Sequence, residues 1–86
     1  MPIICSFRGI KITINYLDHM PPHFHAYYGE YECCIDIDML EKIAGEMSNK
    51  QLKMLLGWAA IHQEELQENW YLARHKQELF VIEPLK

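Results

Sequence analysis

The sequence predicts a small α+β domain, with a mostly antiparallel sheet of about four strands packed against one long C-terminal helix. Two observations carry this. Before Ser48, apolar and polar residues alternate with period two. After it, apolar residues recur every three to four positions, the spacing of one helix face. At 86 residues the chain is long enough for one domain and one modest core, so residues 1–86 are read as a single domain.

The elements follow in order. Ile3 to Phe7 is a short β-rich run closed by Arg8-Gly9. Ile10, Ile12, Ile14 and Tyr16 then alternate with Lys11, Thr13 and Asn15, as in a half-buried strand. Asp18 to Pro22 must be a loop, because neither Pro21 nor Pro22 can donate to a ladder. His23 to Tyr28 is a third strand, Gly29-Glu30 a hairpin turn, and Tyr31 to Asp38 a fourth strand. Lys42 to Glu46 is a short candidate fifth strand, with a bend at Gly45.

Ser48 and Gln51 fit a capping box, the serine hydroxyl meeting the amide three residues on. Leu52, Leu55, Leu56, Ala59, Leu66, Trp70 and Ala73 then form the apolar stripe. An unbroken helix from Ser48 to His75 would be roughly 40 Å long, against roughly 20–27 Å for strands of six to eight residues. The helix must therefore bend, break or overhang the sheet. Met54, Trp58 and Ile61 fall on a flank outside the stripe, so an overhang would offer them to a second molecule and favour a homo-oligomer. Leu79 to Ile82 is apolar enough to return as an edge strand or a docked extension, ended by Pro84.

Composition narrows the function. With 50% hydrophobic and 23% charged residues the chain is globular rather than disordered, and no apolar run is long enough for a membrane span. No signal-peptide pattern is visible, so the expected location is cytoplasmic. A net charge of −4 with scattered Lys and Arg argues against generic nucleic-acid binding by the isolated chain. There is no Gly-rich phosphate loop. Cys5, Cys33 and Cys34 lack C-x-x-C spacing and read as reduced structural thiols, with Cys33 and Cys34 on opposite faces of their strand.

The chemistry concentrates in Asp18-His19-Met20-Pro21-Pro22-His23-Phe24-His25-Ala26. With His23 opening a strand, His23, His25 and Tyr27 share one face while Phe24 and Ala26 point to the core. The histidine face then also carries Lys11, Thr13, Asn15, Glu32, Asp36 and Asp38; a register slip of one residue would bury the histidines instead. Three uses fit such a surface. Two histidines at i, i+2 suit a divalent metal, zinc or manganese, with His19 or Asp36 as a further ligand. Alternatively, His19, His23 and His25 with Asp36 could perform acid–base hydrolysis, Lys11 or Arg8 stabilising a phosphorane as in a metal-free ribonuclease. Thirdly, the histidines could shape the loop through hydrogen bonds, including one between His19 and Asp18. His62, near the helix stripe, reads as a satisfied core histidine.

These motifs resemble the domain-of-unknown-function 4160 family. The resemblance rests on Met1-Pro2, Phe7-x-Gly9-Ile10, the Asp18-to-Ala26 block, Tyr28-Gly29-Glu30, Ile35-Asp36-Ile37 and Trp58-Ala59-x-x-His62-x-x-Glu65-Leu66-x-x-Asn69-Trp70. It implies one component of a small bacterial two-gene module, toxin–antitoxin-like or regulatory, often beside a domain-of-unknown-function 2442 protein, which is the expected partner. A partner-binding role is therefore the leading expectation, with a small histidine-based hydrolase, a ribonuclease-type toxin with or without a divalent metal, as the alternative.

Overall fold

A computed structural model of the chain describes residues 2–85, so Met1 of the family motif lies outside the described residues. Five strands form a meander: β1 (Ile3–Phe7), β2 (Ile10–Thr13), β3 (His23–Tyr28), β4 (Tyr31–Asp36) and β5 (Glu41–Glu46). Each pairs antiparallel with the next, so spatial order equals chain order. The candidate segment from Lys42 is thus a full edge strand, making five strands rather than about four. Arg8 and Gly9 both take positive φ in the β1–β2 turn, matching the twist of the flanking strands. Gly45 is needed at its position: φ is +78°, and a Cβ there would lie 2.2 Å from the Glu32 carbonyl oxygen.

Alternation sets the faces. Ile10, Ile12 and Ile14, Phe24 and Ala26, and Cys33, Ile35 and Ile37 are all buried, and form the floor of the core. The second and fourth strands stop earlier than the alternation suggests, at Thr13 and Asp36, yet Ile14 and Ile37 still turn inward.

The predicted long helix breaks. α1 (Asn49–Ile61) and α2 (Gln63–Arg74) meet at His62, whose φ of −109° and ψ of 24° leave the helical region. Two contacts hold the second helix there. The Gln63 side chain donates to the carbonyls of Ile37 and Asp38 at 2.9 and 3.1 Å, and His62 Nδ1 lies 2.6 Å from Glu65 Oε1. Ser48 occupies the N-cap, but its hydroxyl bonds the Gln51 side chain instead of a backbone amide.

Trp58 corrects the overhang. It is fully buried, with its ring 5.5 Å from Phe7, 6.0 Å from Phe24 and 5.4 Å from His62, and it donates Nε1–H to the Glu83 carbonyl at 2.9 Å. Of the supposed flank only Ile61 is exposed, at 72%. The tail is a docked extension. Asn69, itself fully buried, brackets Phe80 by donating to its carbonyl at 2.9 Å and accepting its amide at 3.0 Å. Two residues on, Ile82 is fully buried and donates its amide to the Ile4 carbonyl at 2.8 Å.

Candidate functional site

The site forms where the Asn15–Pro22 segment folds back over the start of β3. β3 presents His23 and His25 on one face, as the alternation requires, with Thr13 opposite His25 in β2 and Cys34 opposite it in β4. Leu17 bonds its amide to the Ala73 carbonyl at 3.4 Å, and the Arg74 guanidinium donates to the Asp18 carbonyl, so the end of α2 anchors the loop from outside. Trp70 supports it from beneath, 5.3 Å from the His23 ring.

One carboxylate oxygen organises the interior. Asp18 Oδ2 lies 3.0 Å from His23 Nε2 and 3.1 Å from His25 Nε2. On the far side of the first ring, His23 Nδ1 is 2.7 Å from the Pro21 carbonyl oxygen, which can only accept, so that nitrogen carries a proton. On the far side of the second, His25 Nδ1 is 3.3 Å from Cys34 Sγ. His23 is buried, and the side chains of Asp18 and His25 are only about one-seventh exposed, 15% and 14%. Burial pushes the Asp18 carboxyl up, but the His25 hydrogen bond, the His19 amide and the charges of His23 and His25 outweigh it and hold the group below its ordinary value. Asp18 Oδ1 accepts the His19 amide at 3.0 Å.

The expected residues separate into two groups. His23 and His25 come together; His19 sits at the rim, its side chain 91% exposed, with Nδ1 3.3 Å from Asp18 Oδ1. Asp36 is paired with His23 in the sheet, but its carboxylate accepts the amides of Asp38 and Met39 at 2.9 and 2.8 Å and shapes the β4–β5 turn. Lys11 lies over the Tyr27 ring, 5.4 Å from its centroid, one register step beyond the histidines. His62 stays at the helix junction. Sequence reasoning missed Asp18 as the hub and Cys34 as a neighbour of His25. Spacing held the signal for the second: Cys34 has the right parity to share the face of Asp36.

Among the described residues, His23, His25 and Cys34 each offer a potential ligand atom within 4.8 Å of the others. The thiols are not activated. Burial, then Glu32 and Asp18, push Cys34 up; burial first and then Cys34 push Cys33 up to about 11. Thr13 Oγ1 and Asn15 Oδ1 are buried without a hydrogen-bond partner, while Asn15 Nδ2 lies 3.2 Å from His25 Nε2.

The family model described as a domain of unknown function (DUF4160) matches residues 9–71, and the chain belongs to that family. No curated protein and no solved structure matches it.

Proposed function

We propose, taking membership of the DUF4160 family as the premise, that the chain is a partner-binding module and that the Asn15–Pro22 loop is its recognition element. The observation that carries the reading is a division of labour along one short segment. The polar groups of Asp18, His23 and His25 are turned inward, toward one another and the Pro21 carbonyl. The same loop turns Tyr16, Leu17, His19 and Met20 outward into solvent. A rigid loop displaying apolar side chains and one imidazole loses little conformational freedom on binding, which favours recognition. The partner we propose, on the family resemblance, is a domain-of-unknown-function 2442 protein in a two-gene toxin–antitoxin-like or regulatory pair.

The hydrolase alternative draws less support. His19, one of its three expected histidines, stands apart at the rim with its side chain 91% exposed. Lys11 and Asp36, also expected participants, are engaged with Tyr27 and the β4–β5 turn.

Co-expression with the domain-of-unknown-function 2442 protein, followed by co-purification and titration calorimetry, tests the module. The expected result is a stoichiometric complex weakened at least tenfold by Leu17→Ser/Met20→Ser. Absence of a complex, together with growth arrest on expressing the chain alone that His25→Ala relieves, would overturn it in favour of the hydrolase.

A further inference from the structure

We infer that Asp18, His23 and His25 form a binding site for one divalent transition-metal ion of the zinc type, which ties the loop to the sheet. The ligand set differs from three histidines: the carboxylate of Asp18 takes the place of the rim residue His19. The inference stands apart from the partner reading, because the ion is titrated on the chain alone.

Spacing is the first argument. Zinc bonds nitrogen and oxygen at about 2.0–2.1 Å, so two ligands at tetrahedral angles lie about 3.3–3.4 Å apart. The two His Nε2 atoms stand 3.0 and 3.1 Å from Asp18 Oδ2, close enough that a few tenths of an ångström of opening admits the ion. Two imidazoles and one carboxylate are borderline donors that suit zinc, cobalt or iron better than magnesium or calcium.

The second argument lies behind the ligands. A metal-bound histidine donates its other ring N–H to a carbonyl, a carboxylate or another acceptor, which fixes the ring. His23 Nδ1 already donates to the Pro21 carbonyl at 2.7 Å, and His25 Nδ1 faces Cys34 Sγ at 3.3 Å. Both Nε2 atoms are thereby aimed at the same point.

Unmet polar groups beside that point are the third. Thr13 is fully buried, pairs with His25 in the register, and its Oγ1 has no partner. Asn15 Oδ1 is likewise buried and unpartnered. Turning the Asn15 amide over would place that oxygen at the 3.2 Å now held by Nδ2 from His25 Nε2, in reach of the ion or of a water on it. Buried polar atoms are rarely left unpaired, and an ion carrying a water would supply a partner for the Asn15 oxygen.

The test uses the full chain, stripped with chelator and dialysed against zinc, with cobalt as a spectroscopic stand-in. One ion per chain is expected, with d–d absorption of a four- or five-coordinate cobalt site and no sulfur-to-cobalt charge transfer. Asp18→Ala and His25→Ala should each weaken binding at least about a hundredfold. Cys34→Ser, behind a ligand, should stay within the roughly 10–100-fold range of such partners, and His19→Ala should have no effect. Asp18→Asn and His25→Gln, checked for native circular dichroism, guard against simple misfolding. No saturable binding by the native chain would overturn the inference. So would binding that survives folded Asp18 and His25 variants, or a sulfur-to-cobalt band that makes Cys34 a ligand.

Discussion

Asn69→Asp tests what holds the C-terminal tail. The substitution preserves size and the acceptor that takes the Phe80 amide, but replaces the donor facing the Phe80 carbonyl with a second acceptor. A net hydrogen bond is worth about 0.5–1.5 kcal/mol, and a buried carbonyl left unpaired costs about 1–3 kcal/mol more. Asn69 is fully buried, so the new carboxylate is also desolvated or must take up a proton. The expected destabilisation is about 3 kcal/mol, or roughly 12–24 °C in Tm for a domain of this size. Asn69→Ala removes both bonds without adding charge and leaves two groups of Phe80 unpaired, so about 2–6 kcal/mol is expected. Urea denaturation with amide exchange measures both. The Ile82 amide, bonded to the Ile4 carbonyl, should exchange faster in each variant as the tail lifts. If Asn69→Asp unfolds within 0.5 kcal/mol of the native chain with Ile82 exchange unchanged, the clamp does not hold the tail.

Trp58→Ala should cost about 3–5 kcal/mol in the same denaturation experiment, as expected for a fully buried ring; an exposed flank would have given under 0.5 kcal/mol. Trp58→Phe keeps an aromatic ring and removes the Nε1–H bond to the Glu83 carbonyl, so a loss of about 0.5–1.5 kcal/mol is expected from that bond. A disulfide reagent at pH 8 should label Cys34 first and Cys33 slowest, read by mass spectrometry, since Cys33 is buried and its thiol is pushed up to about 11. Asp18 is held below its ordinary 3.8, so the folded state binds that proton more weakly than the unfolded one. Its contribution is complete above that value and is lost as pH falls through the lower folded value. Chelator-treated Asp18→Asn should therefore be less stable at pH 7, with the difference narrowing as pH falls below 3.8, as urea midpoints would report.

Much of this was legible in the residues. Alternation placed His23 and His25 on one face and Phe24 and Ala26 on the other, because a strand of period two offers only two registers. The helical stripe was legible too, though in a different subset. Leu55, Trp58, Ala59, His62, Leu66, Asn69, Trp70 and Ala73 form an unbroken series at spacings of three and four. Choosing Leu52 and Leu56 instead pushed Trp58 to the flank. The break at His62 has no local signature: there is no proline there, and Gln63 is drawn to two carbonyls at the end of β4 that lie some 25 positions away in the chain. Asp18 was hidden for a related reason. A loop has no periodicity, and a carboxylate becomes a hub only when its segment folds back onto the strand that follows.

The docked tail decides how copies of this sheet can meet. An antiparallel meander has two free rims, and a molecule with both open can add neighbours without end. Here the β1 rim is occupied, since Ile82 spends its amide on Ile4 and any incoming chain would first have to peel the tail away. The β5 rim, bearing Glu41, Lys42 and Glu46, pairs only inward with β4. Among the described residues, strand addition from outside is therefore left with the β5 rim, and a sheet open at one rim cannot be extended from both sides. The tail thus takes from β1 a template on which further strands could add.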